Sequence, residues 1–456
     1  MLFTAATLAD GQTRDVRVED GEIVAVGDLD PDSDEDVIDA SDYHLLPGAI
    51  DAHVHFRQPG FGHKEDWETG SHSAAAGGVT TVVDQPNTDP ATTTGAAFDE
   101  KADLAAASLV EYGINGGVTA NWDPESLFDR PLFALGEVFL ADSTGDMGIE
   151  TDLFRDALAR AADADVPVTV HAEDADLFDE DALSGADKAG VGHEAPADRW
   201  SQYRTAEAEI TAVEQALSTA ADSGASLHIA HTSTPEAVDA VAEAASEVAE
   251  AANAEAEEED EDEGSRTISC EVTPHHIFLS RDDLSVLGTY GRMNPPLRSE
   301  ERRAELFDRV RDGTVDIVAT DHAPHTTAEK ETTLTDAPSG VPGVETMLPL
   351  LLGEVHAGRL DLSRVRDLVA SNPADIFDLS RKGRVAEGYD ADLVLVDLDD
   401  PREISGEDLH SKCEWTPFEG ESGVFPELTL VRGEIVYDGR GDSETFGDAV
   451  GRNVRS

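Results

Sequence analysis

The 456-residue chain carries 97 acidic against 32 basic residues, a formal charge of −65 that leaves too few cations to displace counterions from nucleic acid or an anionic membrane. Its two cysteines, Cys270 and Cys413, supply neither a disulfide framework nor a paired-cysteine zinc site, which fits a reducing cytosol. No apolar run approaches the ~20 residues of a membrane span, and the opening MLFTAATLADGQTRDV lacks a basic stretch followed by an apolar one, so a soluble, unprocessed, cytoplasmic chain is expected.

Residues 1–46 read as short strands. Asp10-Gly11 and Asp20-Gly21 place turns between β-branched or alternating runs such as TRDVRVED and EIVAVGD. From residue 47 to 376 apolar runs alternate with helix-like segments, the pattern of a parallel sheet with crossover helices. Eight runs qualify as strands: LPGAIDAHVH, VTTVVDQ, YGINGGV, LFALGEVFL, VPVTVH, SLHIAH, TISCEVT and VDIVAT. Eight is the number that closes a TIM (β/α)8 barrel, which needs about 250 residues and leaves chain for a second domain. Between them, DLFRDALARAADA and AEAEITAVEQALSTAADS carry Leu, Ile and Val at helical spacing. An acidic insertion near 249–264 can bury nothing and extends the sixth helix outward. The polar, turn-rich stretch 326–343, with Gly340 and Gly343, has the length of a lid. Residues 377–456 return to the β style of the N-terminus in GRVAEGYDADLVLVDLD and ELTLVRGEIVYDGR, so both ends are expected to form one small β-sandwich-like domain.

Five of the barrel strands end in potential metal ligands: His53 and His55, Glu137, His171, His231 and Asp321. In a (β/α)8 barrel the carboxyl ends of all strands open on one face, so ligands distant in sequence converge there, and i, i+2 spacing lets His53 and His55 grip one ion. Imidazole and carboxylate suit zinc and its neighbours, so two divalent metal ions are expected, Zn2+ first among them. In this scheme His53 and His55 hold the more buried ion, His171 and His231 hold the other, and Glu137 bridges them. Asp321 closes the buried ion's shell and moves a proton between an activated water and the leaving nitrogen. His44, His63, His72, His193, His228, His356 and His410 lack such placement and are assigned to surface or packing.

PGAIDAHVHFRQPG, DQPNT, TPHH, MNPPLR and ATDHAPH, together with the late GRVAEGYDADLVL, resemble the signature segments of the dihydroorotases in the cyclic amidohydrolase superfamily. The resemblance implies reversible cyclisation of N-carbamoyl-L-aspartate to L-dihydroorotate, a step of de novo pyrimidine biosynthesis, on a small-molecule substrate; homo-oligomerisation stays open. It implies that Arg57, Asn87, Asn294 and His325 contact the substrate. His275 and His276 are family markers, assigned to supporting or packing roles. Many relatives have a carboxylated lysine where this chain has Glu137, so either the strand comes closer to the metals or another acid, Asp142 the nearest, serves; another branch uses a direct carboxylate bridge. Allantoinases and hydantoinases share the metals, but Arg57 after HxH and NPPLR favour dihydroorotase. A non-catalytic scaffold that has lost its ligands is disfavoured because every ligand position is filled.

Self-repulsion at −65 strains a compact fold in dilute salt and is relieved as the Debye length shrinks to about 3 Å near 1 M. A high-salt cytosol is therefore expected. The melting temperature, followed by circular dichroism, should rise steadily from low to molar KCl; a flat response would remove this reading.

Overall fold

The computed structural model describes residues 1–141, 147–256, 266–441 and 443–456. Its centre is a ring of eight parallel strands: β6 (Ala49–Val54), β7 (Val79–Asp84), β8 (Glu111–Ile114), β9 (Leu135–Phe139), β10 (Val168–His171), β11 (Leu227–Ile229), β12 (Ile268–Val272) and β13 (Ile317–Val318). Seven fall within the runs read from sequence, and β8 begins one residue before its run, at Glu111. Continuous ladders join β6-β7-β8 and β9-β10-β11-β12-β13. Two seams complete the circle, one where Gly116 pairs with Leu135 and one where Val54 pairs with His322, the His55 N–H donating to the His322 carbonyl at 2.8 Å. Every residue of these strands is buried, because a barrel wall is covered by its own interior on one side and by helices on the other.

The strands are shorter than the apolar runs that announced them. β11 has three residues and β13 two, and the chain leaves the ladder just before His231 and Asp321. Both adopt left-handed backbone, φ 34° and 48°, as does Arg57 at 65°. For side-chain-bearing residues that conformation is costly and persists only where the surroundings impose it.

Helices cover the ring through an apolar stripe. The helix Thr151–Asp163 buries Phe154, Ala157, Leu158 and Ala161, and Ala206–Ala221 buries Ala208, Ala212, Val213, Ala216 and Ala220, each series at i, i+3/i+4 spacing. Thr205 caps the second, its hydroxyl accepting from the Ala208 N–H at 3.2 Å. The helix Pro235–Ala256 runs into the acidic stretch, whose remainder lies outside the described residues.

Both chain ends meet in one nine-stranded sheet. The N-terminal part supplies β1 (Leu2–Thr7), β2 (Thr13–Glu19), β3 (Glu22–Gly27), β4 (Val37–Asp39) and β5 (His44–Pro47). The C-terminal part supplies β14 (Leu393–Val396), β17 (Pro426–Val431), β18 (Glu434–Asp438) and β19 (Thr445–Phe446), while β15 (Arg402–Glu403) and β16 (Ser422–Gly423) pair with each other. β5 and β14 join the two halves in antiparallel register, Leu46 opposite Val394. Phe3, Val16, Ile23, Leu45, Leu393, Leu395, Leu428 and Leu430 fill its core.

Two buried carboxyl groups hold the rim. Asp51 of β6 accepts from the Thr320 N–H at 3.0 Å and the Thr320 hydroxyl at 2.6 Å, tying the β6–β13 seam. Burial pushes the Asp51 carboxyl up to about 7, against these hydrogen bonds. Beyond β7, the fully buried Lys101 donates to Asp84 at 2.5 Å and to the Gln85 carbonyl at 2.6 Å, while the other Asp84 oxygen takes the Phe56 N–H at 2.6 Å, one residue past His55. Removing one partner of a buried pair strands the other's charge. Lys101→Met should therefore lower stability by about 3–5 kcal/mol in urea denaturation at molar KCl.

Candidate active site

The six predicted ligands meet at the carboxyl end of the ring. His53, at the inward face of β6, places its Nε2 3.5 Å from Glu137 Oε2 and 3.6 Å from Asp321 Oδ1. His55 Nε2 lies 3.0 Å from the same Asp321 oxygen. The other Glu137 oxygen, Oε1, stands 2.9 Å from His171 Nδ1 and 2.6 Å from His231 Nε2. Two three-residue ligand groups result, His53-His55-Glu137 and Glu137-His171-His231, with donor atoms within 4.8 Å of one another in each. Glu137 belongs to both. It sits inside β9 and not at its end, because β9 continues to pair Val138 with Val170 and Phe139 with His171. The preceding Gly136 has φ 143°, and a Cβ there would lie 1.9 Å from Thr169 Oγ1, so only glycine lets β9 run this close to β10. Asp142, the other acid considered, lies outside the described residues.

The cluster suits cations. Burial opposes charge on His53, yet Glu271 and Glu137 outweigh it and hold the imidazolium well above the ordinary histidine range; Glu137 and Glu173 do the same to His171, up to about 9. Against its own burial, Glu137 is held well below the usual carboxylate range by His53, His231 and His171. A carboxylate field that would charge buried imidazoles equally favours a divalent ion between them. Among the described residues, His53 Nε2 and His231 Nδ1 are buried with no hydrogen-bond partner, and such orphans persist where a ligand completes them. The imidazole and carboxylate donors of both groups therefore suit divalent metal.

A supporting ring surrounds the ligands. Glu271 of β12 accepts from His53 Nδ1 at 2.6 Å, and its second oxygen meets His228 Nε2 at 3.1 Å, whose Nδ1 reaches Ser269 at 2.8 Å. His228, read from sequence as surface or packing, is thus buried beneath His53. Glu173 takes His171 Nε2 at 2.9 Å and is itself bound by Arg204. Such partners fix which ring nitrogen faces the centre. Neither Glu271 nor Glu173 was picked from sequence; the available signal was an acid inside the otherwise apolar run ISCEV and two residues beyond His171 in HAED.

Three of the four predicted substrate contacts, Arg57, Asn87 and Asn294, line the same cleft, while His325 stands behind it against Arg57. Arg57, Asn87, Asn294, Ser339 and Gly340 face it together with His55, Glu137, His171, His231 and Asp321. Asn87 uses its amide oxygen to accept from His55 Nδ1 at 2.7 Å, and Asn294 Oδ1 accepts from Trp200 Nε1 at 2.9 Å. Arg57 donates to the Pro324 carbonyl at 3.3 Å and sits 3.2 Å from His325 Nε2. Burial pulls its guanidinium down to about 10, so it stays charged at neutral pH. His325 is held well below the ordinary range by burial and by Arg57, Lys330 and Lys64; the neutral ring donates from Nε2 to the Ser339 carbonyl at 2.9 Å. His276, by contrast, is packed between Thr273 and the Pro295 carbonyl, with burial pushing it down to about 4. The stretch 326–343 lies against this wall, Gly340 at φ 125° bringing its backbone over Ala323.

A profile described as Amidohydrolase family matches residues 44–436. The chain is 62% identical over 453 residues to a protein of Halobacterium salinarum named dihydroorotase, covering 99% of this chain and 98% of that one. It is 43% identical over 431 residues to a dihydroorotase of Methanosarcina mazei, covering 93% and 91%. Among solved structures, an L-hydantoinase from Arthrobacter aurescens matches with a TM-score of 0.86 at 26% identity over 99% of this chain and 98% of that one. A dihydropyrimidinase from Brevibacillus agri matches at 0.85 and 26%, over 100% and 98%.

Loss of a partner that orients a liganding imidazole weakens metal retention by about 10–100-fold. Glu271→Gln should show a drop of that order in chelator competition, with an unchanged circular dichroism spectrum.

Proposed function

The chain belongs to the amidohydrolase family, and from that membership we propose a division of labour among the residues of its cleft. Its reaction is that of a dihydroorotase, the reversible closure of N-carbamoyl-L-aspartate to L-dihydroorotate. His53, His55 and Asp321 would hold one divalent ion, His171 and His231 a second, with Glu137 shared. Bound there, such cations would lower the pKa of a water enough to supply hydroxide at neutral pH. The observation that carries this reading is the reach of the Glu137 carboxylate, one oxygen toward His53 and the other toward His171 and His231.

Asp321 is the proton carrier. Although burial raises a carboxyl, His55 at 3.0 Å, with His53 and His231, keeps Asp321 below its ordinary range, so it is ionised and able to accept. In ring opening it takes a proton from the attacking water and delivers it to the ring nitrogen as the amide C–N bond breaks. In closure it takes the proton of the attacking ureido nitrogen and gives it to the departing oxygen. Arg57 receives the substrate carboxylate: among the described residues it forms no ion pair, and a buried planar fork of donors without a counter-charge matches a carboxylate. Asn87, Asn294 and neutral His325 fix the ring beside it. Direction follows pH, since closure consumes a proton.

The hydantoinase likeness in the solved structures favours a second substrate, but at 26% identity against 62%, and with Arg57 at the rim, it ranks below. The charge of −65 and the relative from Halobacterium salinarum support work in a high-salt cytosol, with zinc the first metal to supply. Among the described residues no helix is long and apolar enough to cross a membrane.

Purified, metal-replete protein in high KCl should turn over dihydroorotate in preference to allantoin and hydantoin; preference for either alternative overturns the substrate. Glu137→Gln should lose bound metal and at least ~100-fold of turnover. Retention of both in that variant would place the bridge elsewhere.

A further inference from the structure

Three lysines are buried, and one of them is unlike the others. Lys101 is paired with Asp84, and Lys382 with Asp392 at 2.6 Å and with Glu111. Lys330, fully buried, forms no ion pair among the described residues. Its Nζ donates instead to three backbone carbonyls: Pro338 at 2.9 Å, Arg292 at 3.3 Å and Thr289 at 3.4 Å. Burial, with the charges of Arg292 and Arg57, pulls the Lys330 amine well below its ordinary range, and the three carbonyls hold it in place of a counter-charge. The Trp415 ring lies 5.6 Å from the same nitrogen.

Each segment gathered here carries part of the substrate wall. The Arg292 carbonyl also accepts from the Gly340 N–H at 3.0 Å, and Gly340 lines the cleft. Arg292 itself donates from Nε to Ser339 at 3.1 Å and lays its guanidinium 3.7 Å over Trp200, whose indole N–H holds Asn294. The Ser339 carbonyl accepts from His325, and the Trp415 indole N–H donates at 2.8 Å to the His325 carbonyl. The Thr289 hydroxyl closes the knot on the Lys330 carbonyl at 2.5 Å. None of these bonds reaches the clustered imidazoles or Glu137.

We infer that Lys330 is a positioning residue for the known reaction, its buried Nζ locking segments 289–294, 325–340 and Trp415 into the wall that recognises the substrate carboxylate. The inference rests on the dihydroorotase reading. Because the knot touches the recognition side and not the reacting centre, its loss should weaken ground state and transition state alike and so appear in KM.

The test compares wild type with Lys330→Met, similar in length and without donors, in high KCl with dihydroorotate. KM should rise at least ~10-fold with kcat within about threefold, the pattern of lost uniform binding, and metal content by elemental analysis should stay unchanged. KM within twofold of wild type, or kcat falling in step with the rise in KM, overturns the inference. Should Lys330→Met fail to fold, Trp415→Phe decides: it keeps the ring, drops the N–H to His325, and should raise KM about 3–10-fold, an unchanged KM being the refuting result. A wild type inert toward dihydroorotate would sink the functional reading and this inference with it, whereas an active wild type with indifferent variants sinks this inference alone.

Discussion

One buried carboxylate is shared by two groups of imidazoles. Glu137 answers His53 with one oxygen and His171 and His231 with the other, and Asp321 adds a second acid against His53 and His55. Water would solvate such charges; in the barrel mouth burial opposes them, and Glu137, Asp321, His53 and His171 stay charged because of their neighbours. Such a site is stable as a cage for cations and poor as an apolar core.

Much of the fold serves that arrangement. β11 and β13 stop before His231 and Asp321, and both ligands adopt left-handed backbone. Gly136 gives β9 the proximity that Glu137 needs, since any larger residue would strike Thr169. The seam beside Asp321 is tied by Thr320 on Asp51, and the stretch after His55 by Asp84 on Lys101. Glu271 and Glu173 complete the ring by fixing His53 and His171. The accessory sheet, built from both termini, joins its two halves at β5, which leads directly into β6 and the HxH pair.

The strands and their ligands were legible because both signals are local. Continuous apolar runs mark walls buried on both faces, and His53, His55, His171, His231 and Asp321 stand at the ends of such runs. The ranges were overestimated at β11 and β13, where apolar residues continue past the point at which ligand geometry ends the ladder. What sequence hid was long-range: Glu271 lies 218 residues from His53, and Lys330 is 41 from Thr289. A charged residue looks solvated until its partners are placed. His228, assigned from sequence to surface or packing, is packed on the same three-residue strand that precedes His231, against Glu271.

The acidic surface and the caged centre are separate electrostatic problems, since the first is screened by salt and the second, being buried, is not. The most direct measurement on the second is anomalous diffraction from crystals grown with Zn2+ or Mn2+. Two peaks in each chain, one on either side of the Glu137 carboxylate and each against its own pair of histidines, are predicted. A single peak, or none among these residues, would contradict the account.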